Sequence, residues 1–235
     1  MKNTLSTLFF LFLISNLALA QNKMFQAQNG NVKVEAKAAA QPIVTNGLVM
    51  SFDPGNSTSY PGSGSTLFDL SGNSKNSSLI NSPVYSSANG GILVFNNSNY
   101  IQAPSLTWRS IGMFVKMNTS QGSPYYLMDG RDGVVNSYYY SADPAGAAFT
   151  KLYVNGVSQP SLPVLSNTTI FPKETWLYIY LEISALGTDN INIFSRYSNN
   201  EYLNASIGAV QVYNVPLTEQ EILNNFNAQK ARYGL

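Results

Sequence analysis

Between Ile207 and Ala228 the hydrophobic pattern changes period in mid-run, and that change restricts the fold more than any other feature of the chain. Ile207-Gly-Ala-Val-Gln-Val-Tyr reads as a strand, Asn214-Val-Pro as a turn, and Thr218-Glu-Gln-Glu as the opening of a helix. Thr218 can cap that helix, and Glu221 three residues on completes a capping box. Ile222, Leu223 and Phe226 supply the apolar stripe, and Gly234 follows the end.

Upstream, the apolar residues alternate over short runs. Leu48, Met50 and Phe52 alternate with Val49, Ser51 and Asp53 in a first strand, and further strands are predicted at 92–95, 100–102, 111–117, 125–129, 134–141, 151–154 and 191–194. In Trp176-Leu-Tyr-Ile-Tyr-Leu-Glu-Ile, the aliphatic residues Leu177, Ile179, Leu181 and Ile183 share a face and belong to the core. Asp53-Pro-Gly and Tyr60-Pro-Gly-Ser-Gly-Ser predict a long surface loop, and Asn155-Gly156 predicts a type I′ hairpin turn. About ten short strands divided by Gly, Pro, Asn and Ser clusters argue for a sandwich or barrel.

Residues 1–20 carry Lys2, the apolar run Leu8-Phe-Phe-Leu-Phe-Leu-Ile and the small-residue ending Ala18-Leu-Ala20, which together read as a secretory signal peptide. Ser15 and Asn16 interrupt the run short of the roughly 20 residues a membrane anchor needs, and no later segment matches a span. Residues 21–41 are polar and Ala-rich and read as a linker, leaving 42–235 as one domain. The chain has no cysteine, so an exported domain must draw its stability from packing alone. Charged residues make up 11% with a formal net charge of +1, too sparse to neutralise a nucleic-acid backbone, so nucleic acid is not an expected partner.

Several blocks, in order, resemble the concanavalin A-like lectin/glucanase superfamily in its laminin G-like branch. They are Gly47-Leu-Val-Met-Ser-Phe-Asp, Phe68-Asp-Leu-Ser-Gly-Asn, Asn89-Gly-Gly-Ile-Leu-Val-Phe-Asn, Leu152-Tyr-Val-Asn-Gly, and Ile207-Gly-Ala-Val-Gln-Val-Tyr-Asn through Glu221-Ile. The resemblance implies an all-β jelly-roll sandwich of two antiparallel sheets with a short C-terminal helix, in a superfamily of mostly binding modules. It also implies a place for calcium after the strand ending at Phe95. Here that place reads Asn96-Asn-Ser-Asn99, so Asn96, Asn97 and Asn99 offer carbonyl oxygens without charge, which weakens any such site. The alternative reading is a plain turn.

With no His and no Cys, the commonest general base, the thiolate nucleophile and the usual zinc ligands are missing. Glycoside hydrolysis needs only two carboxylates, but the superfamily's Glu-x-Asp-x-x-Glu strand is absent, and Glu182 stands alone in its strand. The expectation is therefore of no enzyme. For binding, Asp129-Gly-Arg131-Asp132-Gly is the densest charge cluster, either a ligand-holding turn or a solvated hairpin with an internal ion pair. Tyr138 and Tyr140 share one face. They, or the Trp176, Tyr178 and Tyr180 stripe, either line a glycan face or fill the sandwich. Trp108 is either an exposed anchor or part of a packed strand.

These residues point to a secreted or surface-displayed recognition module for a glycan or surface polysaccharide. The alternatives are a structural or adhesive decoration protein of a cell surface or virion and, third, a glycoside hydrolase. Ligand and oligomeric state stay open at this point.

Overall fold

An alternating run becomes a stable strand only when its apolar side chains find a second layer to pack against. The computed structural model describes residues 42–130, 137–142 and 149–235, and the proposed signal peptide and linker lie outside them. The described residues form two antiparallel sheets packed as a β-sandwich, with one short α-helix near the C-terminus.

The larger sheet has eight strands. It contains β1 (Leu48–Phe52), β4 (Val84–Ser86), β5 (Ile92–Phe95), β7 (Leu106–Met117), β10 (Phe149–Val154), β11 (Val157–Ser158), β12 (Trp176–Asp189) and β14 (Ala205–Tyr213). Their order is β11-β10-β12-β7-β14-β5-β4, with β1 also paired to β14. The smaller sheet runs β2 (Thr66–Leu67), β3 (Ser77–Ile80), β6 (Tyr100–Gln102), β13 (Asn192–Ile193), β8 (Tyr126–Asp129) and β9 (Tyr138–Tyr140). Four strands were not expected from the sequence: β2, β3, β4 and β11. Each has two to four residues, too few to show a period, and their pairing partners define them.

The main core fills the space between the sheets. Leu177, Ile179, Leu181 and Ile183 of β12 all point into it, as the alternation predicts, and Met50, Phe52, Phe95 and Val115 join them. Trp108 is fully buried there beside Phe149, which settles it as part of a packed strand. The Asn155-Gly156 turn has positive φ at both residues, 53° and 78°, and joins β10 to β11 as a type I′ turn requires.

A second apolar cluster lies on the outer face of the eight-stranded sheet. There α1 (Glu219–Gln229) is seated through Ile222 and Phe226 on Phe114, Tyr178, Tyr180 and Tyr213. The predicted capping box is present: the Thr218 hydroxyl accepts from the Glu221 N–H and the Glu221 carboxylate accepts from the Thr218 N–H. Beyond the helix, Arg232 donates to Asp53 at 2.6 Å and to the carbonyls of Asn89 and Gly91, tying the C-terminus to two loops. Among the described residues no helix is long and apolar enough to cross a membrane.

The loop at 69–76 is organised around one carboxylate. Asp69 accepts from the N–H groups of Ser51, Ser71 and Lys75 and from the Ser71 hydroxyl. Burial pushes this carboxyl up, but those donors outweigh burial and hold it below its ordinary value. A depressed carboxyl contributes stability that is complete above its unfolded pKa of about 3.9 and is lost as pH falls through the lower folded value.

Two outcomes are expected. In urea denaturation, the stability gap between the native chain and Asp69→Asn should be constant from about pH 7 to pH 5 and close below about pH 4. Gly208→Ala should cost about 1–3 kcal/mol in the same assay, because a methyl there would overlap the Tyr233 ring and hydroxyl. That hydroxyl accepts the Ala209 N–H.

Candidate functional site

Register across the six-stranded sheet separates its two faces cleanly. Leu79, Ile101, Ile193, Met128 and Tyr139 pair in a row from β3 to β9 and face the core, all buried. The adjacent row points the other way and crosses all six strands: Thr66, Ser78, Gln102, Asn192, Asp129 and Tyr138. Every member of the outer row carries a hydrogen-bonding group, so its polarity follows from the same alternation that makes the inner row apolar.

Tyrosines gather at the β8–β9 end of this row. The rings of Tyr126 and Tyr140 stack at 4.8 Å with an interplanar angle of 14°, and Tyr138 meets Tyr140 edge-on at 5.5 Å. Tyr138 and Tyr140 are half-buried, so part of each ring stays at the surface. On β6, Tyr100 packs beside Tyr202 at 6.1 Å. Burial pushes the Tyr100 hydroxyl up, and Tyr202 adds to the shift.

Between the tyrosines and β3 the surface is indented. A depression of about 30 Å³ is lined by Gln102, Asp129, Asn190, Asn192 and Tyr197, and a neighbouring one of about 220 Å³ by Asn76, Ser78, Gln102, Ala103, Pro104 and Asn190. Gln102 and Asn190 belong to both, so the two form one polar trough along the outer row. Its floor is fixed from below. Asp129, 1% exposed, accepts the Tyr197 N–H at 3.1 Å. The Asn192 amide donates to the Arg196 carbonyl at 3.0 Å and to Asn199 at 3.1 Å. These bonds hold the loop after Phe194, and with it the exposed Tyr197, against the trough. Carboxylate, amides and phenol rings meet here as a ligand with hydroxyl groups and an apolar face would require.

The structure thus brings together Tyr138, Tyr140 and Asp129 of the residues named from sequence. Arg131 and Asp132 lie outside the described residues. Trp176 and Tyr178 are corrected: they belong to the outer face of the other sheet, Tyr178 under α1 and Trp176 under the turn that follows it. Trp176 packs on Tyr233 at 4.7 Å and donates to Asn89, while Tyr178 is fully buried between Phe114 and Phe226. Tyr180 is buried there too and accepts the Leu217 N–H. A helix covers this stripe, so it presents no open face to a glycan.

The Asn96 to Asn99 turn uses its own oxygens. Asn99 accepts the Asn96 N–H, and Asn96 accepts from the Ser98 N–H and hydroxyl. These neutral, engaged groups do not fit a calcium site, which needs charge as well as oxygens. Glu182, 2% exposed, is held by Lys151 at 3.1 Å and Arg109 at 3.5 Å.

Sequence reading missed Gln102, Asn190, Asn192, Tyr126 and Tyr197. A lone polar residue inside a short apolar run, as at Gln102 and Asn192, is the signal that points outward from a sheet.

No protein-family model and no curated protein matches the sequence. Among solved structures, the chain is similar to the Trypanosoma rangeli sialidase in complex with the inhibitor DANA, at TM-score 0.52 and 15% identity. The likeness covers 83% of this chain and 36% of the sialidase, so the chain spans little more than a third of that protein. Domain 4 of AbnA, a GH43 extracellular arabinanase from Geobacillus stearothermophilus in complex with arabinotriose, is similar at TM-score 0.47 and 12% identity, over 76% of this chain and 97% of the domain. At such identities the likeness carries the fold alone. It does overturn the expectation of no enzyme: a fold of this kind occurs in a sialidase, so the fold does not set this chain apart from hydrolases.

Asp129→Ala should destabilise the protein by about 1–3 kcal/mol by orphaning the Tyr197 N–H. Gln102→Ala, at an exposed position of the same row, should stay within about 0.5 kcal/mol in the same denaturation assay.

Proposed function

We propose that the chain is an exported glycan-recognition domain and that the outer face of the six-stranded sheet is its binding surface. One observation carries this reading: the polar row from Thr66 to Tyr138, indented at Gln102, Asn192 and Asp129 and flanked by the Tyr126, Tyr138 and Tyr140 rings. A sugar presents C–H faces that stack on phenol rings and hydroxyls that pair with amides and carboxylates, and both sets of partners meet on this face.

The likeness to a sialidase in complex with sialic acid supports a carbohydrate setting for the fold. The motif blocks of residues 43–235 support a laminin G-like relation within it. A signal peptide over 1–20 and a linker over 21–41 fit delivery to the cell exterior or surface. A shallow trough gives weak single-site binding, and display in several copies raises avidity without new contacts.

On a glycan array, the native chain should retain at least one carbohydrate class, and the double variant Tyr138→Ala/Tyr140→Ala should lose roughly thirtyfold in affinity, at ~1 kcal/mol per ring. Retention should be the same in EDTA. An array with no retained glycan, or equal retention by the double variant, would count against the sheet face as the binding surface.

A further inference from the structure

A second indentation, larger than the trough, opens where the eight-stranded sheet is incomplete. β14 separates β1 from β7, with Tyr213 opposite both Leu48 and Ser110. Past Tyr213 the chain turns away through Asn214-Val-Pro, while β7 runs on to Leu106 with only β12 beside it. Strand pairing alternates in direction, so alternate residues between Leu106 and Arg109 turn their backbone groups toward the missing neighbour. The result is a groove of about 630 Å³, within the range of about 300–1,000 Å³ typical of small-molecule sites.

The lining of this groove is mixed and without carboxylates: the polar residues Asn73, Lys75, Ser105, Thr107, Thr188 and Asn214 stand beside Gly47, Leu48, Val49 and Leu106. The loop pinned by Asp69 holds two of these side chains. Asn73 takes the place of a strand on the β1 side, its amide donating to the Leu48 and Val49 carbonyls. Lys75 reaches across to the residue just before β7, where its ammonium donates to the Ser105 carbonyl at 3.4 Å and, among the described residues, makes no ion pair. The Thr107 and Thr188 hydroxyls bond each other at 2.8 Å on the adjoining β7–β12 surface. Arg109, two residues beyond Thr107 on β7, and Lys151 of β10 share the single carboxylate of Glu182 on β12, a surplus of one positive charge.

A groove with hydroxyls and amides, an ammonium that has no carboxylate partner among the described residues, and a second positive surplus nearby favours a polyhydroxylated ligand with negative charge. We infer that this groove binds a carboxylated saccharide, with Lys75 receiving the carboxylate and Asn73, Thr107 and Thr188 facing the sugar hydroxyls. It uses neither the six-stranded face nor its tyrosines, so it stands or falls independently of the sheet-face reading.

The test uses the full chain with trigalacturonate, a hyaluronan tetrasaccharide and sialyllactose, each beside its neutral methyl ester, by titration calorimetry and amide chemical shifts. At least one acid should bind and move the amides of Asn73, Lys75 and Thr107. Esterification and Lys75→Met should each weaken it about tenfold, the loss expected for one charge-assisted contact. Added salt should weaken it further. Thermal unfolding monitors whether Lys75→Met keeps the fold, and Lys75→Gln repeats the loss with a polar side chain. Failure of all three acids to bind, binding equal for acid and ester, or amide shifts confined to the six-stranded face would overturn the inference.

Discussion

The burial of the first eight residues of β12, Trp176 to Ile183, on both faces is the constraint on which the rest of the structure depends. Its aliphatic residues enter the space between the sheets while Trp176, Tyr178 and Tyr180 lie beneath α1 and the turn after it. Strands buried on two sides are usually apolar throughout, yet this one divides the work by side-chain type. The aromatic side accommodates a helix because Phe114, Tyr178, Phe226 and Tyr233 pack ring against ring, with centroids 4.3 to 6.4 Å apart. Tyrosine hydroxyls at the rim of this cluster serve the backbone: Tyr213 donates to the Val44 carbonyl and Tyr233 accepts from Ala209. The cluster thus fixes the C-terminus without a disulfide in a chain that has no cysteine.

Covering one sheet gives the other its role. The outer face of the six-stranded sheet has no helix on it among the described residues, and the side chains of the row that crosses it are those that tolerate water: Thr, Ser, Gln, Asn, Asp and Tyr. The most buried members, Asp129 and Asn192, are tied to backbone groups of the 195–200 loop. Their geometry is therefore set before any ligand arrives, which lowers the ordering cost of binding. The groove beside β14 is built differently. Its charge rests on Lys75, placed by a loop whose shape depends on the four bonds to Asp69.

Much of this architecture was legible in the residues. The capping box at Thr218 and Glu221, the type I′ turn at Asn155-Gly156 and the inward face of β12 follow from local chemistry, because a cap, a positive φ and a two-residue period act over a few positions. Tyr138 and Tyr140 could be placed on one face for the same reason. Trp176 and Tyr178 share that period, yet their fate differs. Alternation tells which residues share a face but not what covers it.

Sequence by itself thus determined a cysteine-free, turn-rich β-sandwich closed by a capped helix, with tyrosines aligned on at least two sheet faces. Tertiary structure decided which aromatic face the helix would cover, which polar residues from six separate strands would form one row, and where β14 would end and leave a groove. The physical reason is range. Dihedral preference and side-chain period are properties of neighbours along the chain, whereas a row such as Gln102–Asn192–Asp129–Tyr138 exists only once strands distant in sequence have paired in register.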